Sequence, residues 1–482
     1  MRSRPARILF LCMLLLLISC AGKSLMRQEK LVSVALRNEF ITAVEIIRKN
    51  PKLYGKLNQF LYNMDIGVLY HYAGEYDSSD SYLLAASDIY DELFTRSVTN
   101  EAAAILVNDN VRPYRSMPFE IVLLHQLIAF NFLAAGKNDE ALVETRKVQL
   151  YFNDWEKKNK NDFRYHTDGM FHYISSIAYD QAGEWDNAMI SLYKAVDAFK
   201  NGGGAGLPQL IENYAYYQFQ LNDRAADIDL LKIKADKPKA QVAGLGNNNA
   251  EIIVIGYAGR GPALDQNTWW GTYVKDGFLV LYHTDQNGKT ESIKTLAPPL
   301  PDRELKKSEK GRKTSSGTTF HLKFALPAVK SFPSITQDFQ VTCSGTSQPV
   351  TTVVINDFEK QLTKYLEDTR NATIARTAVR VVLRTIAAQR AKEQMRTENS
   401  LANLILNVGA DLLSDQMENA DTRNCFLIPK TVQIARIPVS AGSYDISVAA
   451  RDRNGNVLET KKFSNITVEE RKKRFIFYTS LK

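Results

Sequence analysis

One pattern of residues occurs three times in the first half of this chain. Each copy places an aromatic residue four positions before a glycine and small or apolar residues after it, and the three glycines are Gly74, Gly136 and Gly183. A glycine between two stretches of helical periodicity lets the chain turn, so that the second helix packs on the first. From about residue 25 to residue 235 apolar residues recur at three- and four-residue spacing, which predicts helical hairpins throughout.

The repeated pattern resembles the tetratricopeptide repeat, in which small and large residues at fixed offsets let two helices nest together. The glycines are 62 and 47 residues apart, whereas a regular array has a period of about 34. We therefore interpret residues 20–232 as a tetratricopeptide-like helical solenoid that carries long insertions.

The composition changes after residue 232. Residues 233–250 are rich in Lys, Ala, Gly and Asn and indicate a linker. Runs of β-branched and aromatic residues bounded by Gly, Asp and Pro then predict strands, both in residues 251–356 and again in residues 421–482, where Asn454-Gly455 is a typical hairpin turn.

Residues 357–420 return to helical periodicity between these two β regions. Asp357 is the expected N-cap, and a break near residues 397–400 indicates two helices packed as a hairpin. The predicted fold class is therefore α+β, with an N-terminal all-α solenoid followed by a β-sandwich-like domain into which a helical hairpin is inserted.

The N-terminus has the features of a secretion signal. Arg2, Arg4 and Arg7 precede an apolar run of 11 residues, Ile8–Ile18, which is too short to span a hydrocarbon core about 30 Å thick. The run ends in Leu17-Ile18-Ser19-Cys20, which resembles the lipobox of bacterial lipoproteins. That resemblance implies that residues 1–19 are removed and that Cys20 carries the lipid; the alternative is a cysteine that follows an ordinary cleavage site.

Ala21 follows the lipobox cysteine, and in the lipoproteins that this sequence resembles a residue other than Asp implies export to the outer membrane, facing the periplasm. Two or three acyl chains hold a protein on a membrane far more firmly than one. The chain has a formal net charge of +8, which falls to about +5 without the signal arginines and suggests only mild affinity for anionic surfaces. Nucleic acid is an unexpected partner in this compartment.

Four cysteines are present, of which Cys12 leaves with the signal and Cys20 is acylated. Cys343 and Cys425 remain. The periplasm is oxidising, so these two residues are a candidate disulfide, and two buried thiols are the equally acceptable alternative because the sequence does not fix their separation.

Several longer motifs resemble those of a family of bacterial outer-membrane lipoproteins with tetratricopeptide-like repeats. They are the lipobox, the segment 111–120 (VRPYRSMPFE), the segment 143–146 (VETR), and the segment 420–423 (ADTR) followed by Leu427-Ile428-Pro429. Their order along the mature chain matches the family. The resemblance implies a function in the cell envelope, near cell-wall synthesis, but it implies no known reaction.

The segment 108–120 is polar and aromatic and lies between helices, so we interpret it as a binding loop. Tyr114 and Arg115 are the expected anchors for a partner, with Glu120 beside them, because Tyr and Arg are enriched at interface hot spots. Glu144 and Arg146 are further candidates for partner binding. The alternative is that Glu144 and Arg146 pair with the polar groups of the loop and hold it in place.

Two groups of basic residues are candidates for contact with anionic lipid or polymer. Arg376, Arg380 and Arg384 lie on one face of the inserted helix, and residues 303–313 form a basic loop; for both, a solvated surface is the simpler interpretation.

No signature of catalysis is present: the chain has neither HExxH nor GxSxG, and no cofactor or metal is expected. We predict a binding protein and not an enzyme, a lipid-anchored scaffold or adaptor that holds envelope proteins. A regulator of peptidoglycan synthesis is the first alternative, and an envelope hydrolase or glycan-binding protein is the second.

Overall fold

The computed structural model describes residues 29–97, 110, 112–158, 168–202, 204–235, 242, 244–246, 249–274, 277–285, 287–299, 319–395 and 419–482. The signal sequence with Cys20, the basic loop 303–313 and the second helix expected after residue 400 lie outside these residues. Among the described residues no helix is long and apolar enough to cross a bilayer.

The N-terminal half is helical. Its helices, after a first helical stretch at 29–35, are α1 (Phe40–Lys49), α2 (Gln59–Ala73), α3 (Tyr76–Ser97), α4 (Pro118–Ala134), α5 (Asn138–Lys158), α6 (Gly169–Ala182), α7 (Trp185–Asn201), α8 (Gln209–Leu221) and α9 (Ala225–Leu231). Consecutive helices pack as hairpins. Three tight turns use the glycines of the repeated pattern, because Gly74, Gly136 and Gly183 adopt positive φ angles of 84°, 75° and 76° that other residues rarely adopt.

The described part of the C-terminal half forms three four-stranded sheets and a long helix. The strands are β1 (Glu251–Arg260), β2 (Ala263–Val274), β3 (Phe278–Thr284), β4 (Thr290–Leu296), β5 (Thr319–Lys330), β6 (Asp338–Cys343), β7 (Val350–Thr351), β8 (Val353–Asp357), β9 (Pro429–Pro438), β10 (Gly442–Arg451), β11 (Val457–Val468) and β12 (Lys473–Ser480), and the helix is α10 (Phe358–Met395). The mixed α+β class predicted from the sequence is confirmed.

The first sheet has the strand order β12-β1-β9-β8 and lies between the N-terminal helices and the second sheet. Strand β1 pairs in parallel with β12 and antiparallel with β9. The last strand of the C-terminal half thus lies next to the first. Side chains alternate along β1: Ile253, Ile255 and Tyr257 share a core with the helices, whereas Ile252 and Val254 share a core with the second sheet.

The second sheet has the order β11-β10-β6-β7 and the third has the order β4-β3-β2-β5. The second sheet packs face to face with the first around Phe339, Val341 and Val448. The third sheet packs instead on α10, whose Ala378 and Val382 are fully buried against it. As predicted, Asp357 caps this helix, because its Oδ1 accepts a hydrogen bond from the Lys360 amide at 3.1 Å.

The inner helices of the hairpins and the first sheet share one hydrophobic core. Helix α4 is buried nearly all round, and the aromatic ring of Phe130 lies 5.2 Å from that of Phe477 on β12. The same layer includes His71 on α2, whose Nε2 lies 2.8 Å from the Tyr257 hydroxyl of β1. The surface that the hairpins turn inward is thus covered by strands of the same chain.

A buried ion pair also lies at this junction. The Arg436 guanidinium of β9 donates from Nε and Nη2 to the Glu251 carboxylate of β1, at 2.7 Å each, and both side chains are fully buried. Arg436 also donates to the Tyr173 hydroxyl of α6 at 3.1 Å. Because the helix contributes this third partner, the pair links the helical layer to the sheet.

We predict that Arg436→Met lowers the free energy of unfolding by about 3–5 kcal/mol, because it leaves the Glu251 carboxylate buried without its cation. Arg37→Met is the matched control, since Arg37 and Glu39 form an exposed pair whose loss changes stability by less than about 1 kcal/mol. Urea unfolding of the Cys20→Ser form measures both values. Equal effects of the two substitutions would contradict the role assigned to Arg436.

Candidate functional site

The segment predicted as a binding loop lies where the helical layer meets the C-terminal half. The Tyr114 amide donates to the Leu57 carbonyl at 2.7 Å, which fixes the loop on the short helical turn Lys56–Asn58. The loop then enters α4 at Pro118. Glu120 in the first turn accepts a hydrogen bond from the Met117 amide at 2.9 Å. A carboxylate at this position caps the helix and interacts favourably with the positive end of the helix dipole.

Two carboxyl groups are buried beneath this loop. Glu120 accepts from the Tyr114 hydroxyl at 2.6 Å and from the Cys425 amide at 2.8 Å. Asp65 of α2 accepts from the Tyr54 hydroxyl at 2.7 Å and from the Cys425 thiol at 3.0 Å. Cys425 therefore bridges both acids, and together they join α2, α4 and the segment that leads into β9.

Burial dominates the electrostatics of this cluster. Loss of solvent raises the pKa of Asp65 to about 7, although the hydrogen bonds from Cys425 and Tyr54 oppose the shift. Burial also raises the pKa of Glu120 and that of the Cys425 thiol. The Cys425 side chain is fully buried between the two acids, and a thiol with a raised pKa is a poor nucleophile.

Arg423 closes the cluster from the other side. Its guanidinium pairs with both oxygens of Asp421, at 2.8 Å and 2.6 Å, and its Nη1 donates to the Arg112 carbonyl and to Asn58 Oδ1. It also lies over the Tyr114 ring, 5.4 Å from the centroid. The backbone of the loop is thus held by Arg423 and Glu120, and the alternative that Glu144 and Arg146 hold it is wrong.

Beside the loop is a cleft of about 290 Å³. Three segments line it that are distant in sequence: residues 112–117 of the loop, one face of α10, and residues 419–423. Leu264, Ala325 and Pro327 of the third sheet complete the wall. We call this the arginine cleft, because the cations lining it are Arg112, Arg115, Arg376, Arg380 and Arg423.

The face of α10 that lines the arginine cleft follows from helical spacing. Thr369, Thr373 and Thr377 are four residues apart, and Arg376 and Arg380 have the same spacing one position away. Arg376 is exposed, whereas Arg380 is only 4% exposed and its Nη2 lies 3.4 Å from Thr377 Oγ1. Asp421 is the only carboxylate among the described lining residues, and it pairs with Arg423.

The remaining predicted residues lie in other places. Tyr114 lines the arginine cleft but is 4% exposed, and Glu120 is fully buried, so the expectation that their side chains are offered to a partner is wrong. Arg115 is exposed on the rim as expected. Arg146 is also exposed but pairs with Glu184 at 3.1 Å, at the start of α7.

Glu144 belongs to a cluster of buried polar side chains that was not predicted from the sequence. Its carboxylate lies 2.6 Å from His125 Nδ1, and His125 Nε2 lies 3.5 Å from the Ser87 hydroxyl. The order of groups is that of a hydrolytic triad. Ser87 is fully buried, however, and Lys147 donates to its hydroxyl at 2.8 Å, so the described residues leave no access for a substrate.

The candidate disulfide is not formed. Cys343 and Cys425 are both free and buried, Cys343 between the first two sheets and Cys425 against the helices. Among the described residues no group of three or more His, Cys, Asp or Glu side chains is placed to hold a metal ion. Comparison with protein-family models, with curated proteins and with solved structures gives no match.

We predict that Asp65 makes the protein less stable as the pH rises. A carboxyl whose pKa is raised by folding contributes stability that is complete below its unfolded value near 4 and is lost as the pH rises to its folded value of about 7. A folded pKa that differs from the unfolded pKa by one corresponds to about 1.4 kcal/mol, so the loss is a few kcal/mol.

Urea unfolding between pH 4 and pH 8 tests this prediction. Asp65→Asn should reduce the decline of the unfolding free energy across this range, because an amide has the same shape but does not titrate. Its oxygen can accept from one of the two partners, Tyr54 or Cys425, and its NH2 group can donate to the other. Asp445→Asn is the control, because Asp445 is not part of this buried cluster. An unchanged pH slope in Asp65→Asn would show that Asp65 is ionised in the folded protein throughout.

Proposed function

We propose that this protein is a lipid-anchored binding protein of the bacterial envelope, an adaptor that holds an envelope partner at the membrane through the arginine cleft. The observation that carries the proposal is the construction of the cleft. Three segments from distant parts of the chain meet there, and two arginines, Arg115 and Arg376, are exposed on it. Binding residues on loops held by a rigid scaffold are a common functional arrangement.

The proposal includes the finer architecture expected from the sequence. We interpret the helical hairpins as a tetratricopeptide-like array, supported by the glycines at their turns, and the first two sheets as a sandwich-like domain, supported by their shared core. Tetratricopeptide arrays offer an extended concave surface to partners. Here strands β1, β9 and β12 cover the inward helices, so we place partner binding at the edge, in the cleft.

Binding fits the chemistry of the arginine cleft better than catalysis does. No His or Cys is among the described residues that line it, and Asp421 is engaged by Arg423. His is the commonest general acid or base, and a serine or threonine hydroxyl becomes a nucleophile only when a base lies beside it. Guanidinium groups instead supply charge and directional hydrogen bonds, which hold a ligand in place.

The lipid expected at Cys20 completes the proposed mechanism. Anchoring confines the protein to the membrane surface, where its effective concentration toward other membrane proteins is high, so a modest affinity at the cleft suffices. The proposed location is the outer membrane, with the folded part facing the periplasm.

Site-specific photo-crosslinking in intact envelopes tests this function. A photoreactive residue in place of Arg115 is predicted to give one discrete protein adduct, whereas the same residue in place of the exposed Lys462 on β11 gives none. Cys20→Ser is predicted to weaken the Arg115 adduct, because the soluble form loses its confinement. The same adducts from both positions, or none from Arg115, would contradict a partner-binding cleft.

A further inference from the structure

The arginine cleft has a marked imbalance of charge. Its described lining residues carry five guanidinium groups and one carboxylate, and that carboxylate, Asp421, is paired with Arg423. Cations held around one cavity raise the electrostatic potential inside it, because the low-dielectric walls focus the field. A ligand that enters this space is therefore expected to carry negative charge.

The hydrogen-bonding groups of the cleft narrow the class of anion. Five residues with hydroxyl groups line the same space: Ser116, Tyr365, Thr369, Thr373 and Thr377. The hydroxyls of Ser116 and Thr369 already donate to the carbonyls of Met117 and Tyr365, whereas Thr377 Oγ1 accepts from Arg380 Nη2. Guanidinium groups only donate, and a hydroxyl that accepts a hydrogen bond, as that of Thr377 does, keeps its own proton to donate. The cleft thus favours a ligand whose surface consists of acceptor oxygens.

The type of basic residue in the cleft also indicates an anionic ligand with several oxygens. Among the described residues that line the cleft, all the basic ones are arginines. The planar fork of a guanidinium matches two oxygens of one anionic group, and this geometry is typical of phosphate and carboxylate recognition. A phosphoryl group offers up to three terminal oxygens and two negative charges, so it engages several guanidinium groups at once better than a single carboxylate does.

The depth and volume of the arginine cleft also fit a phosphoryl ligand. Arg380 and Thr377 are buried in the wall, whereas Arg115 and Arg376 are exposed, so donors are present from the interior of the cleft to its surface. A cavity of about 290 Å³ exceeds the volume of a phosphoryl group alone and approaches the lower end of small-molecule sites. The space therefore accommodates the group to which the phosphoryl is attached.

We propose that the arginine cleft binds a phosphoryl group presented by its ligand, with the exposed Arg115 and Arg376 engaging it and the Thr377 hydroxyl donating a further hydrogen bond. This inference goes beyond the proposed protein partner, because it assigns a phosphoryl ligand to the same cleft. The phosphoryl group has two sources in an envelope: a phosphorylated sugar or the headgroup of a phospholipid. The test separates them.

The test uses the Cys20→Ser mature chain and isothermal titration with glucose 1-phosphate, together with flotation on neutral phosphatidylcholine vesicles that contain phosphatidic acid. Glucose 1-phosphate is predicted to bind, and the double substitution Arg115→Gln with Arg376→Gln is predicted to weaken it at least about ten-fold. Both arginines are exposed, so this variant keeps the fold. Lys462→Gln is the matched control on an exposed strand and leaves binding unchanged.

The outcomes of titration and flotation distinguish a phosphorylated sugar from a phospholipid, and a phosphoryl group from a carboxylate. Binding of glucose 1-phosphate without flotation supports a phosphorylated sugar, and flotation that the double substitution abolishes supports a phospholipid headgroup. Succinate that binds as tightly as glucose 1-phosphate would overturn the preference for phosphoryl groups, as would the absence of binding to both phosphoryl ligands. In the latter case a persistent Arg115 crosslink would leave the proposed adaptor function standing.

Discussion

The burial of the inward face of the helical hairpins by the chain's own first sheet is the constraint on which the rest of the structure depends. Phe475 and Phe477 of β12 pack into the same core as the aromatic residues of α2 and α4. Apolar burial of this kind supplies most of the stability of a folded domain. The Arg436 pair with Glu251 adds specificity to the contact, because a shifted register would leave both charges buried and unpaired.

This constraint also determines which surfaces remain for the partner binding that we propose. A helical array that uses its inward surface internally offers only its outer helices, its edges and its loops. The junction between the array and the C-terminal half is one such edge, where the buried cluster of Asp65, Glu120 and Cys425 fixes the loop. The arginine cleft lies beside that fixed loop, so its charged groups are positioned by a rigid base.

The sequence predicted the features that depend on local pattern. The α+β class, the cap at Asp357 and the spacing of Arg376 and Arg380 along one helix face all follow from periodicity and residue type. The burial of Glu120 and the pairing of Glu144 with His125 depend on neighbours that only the fold brings together. Residue type made Tyr114 look like an exposed anchor, yet its hydroxyl and ring are satisfied inside the protein.

Hydrogen exchange under increasing urea tests most directly whether the inward helices and the first sheet fold as one unit. If they do, the core amides of α2, α4, β1 and β12 exchange with one common free energy and one common dependence on urea. Exchange of the β1 and β12 amides while α2 and α4 keep their protection would instead show two independent units, and would contradict a shared core as the basis of the fold.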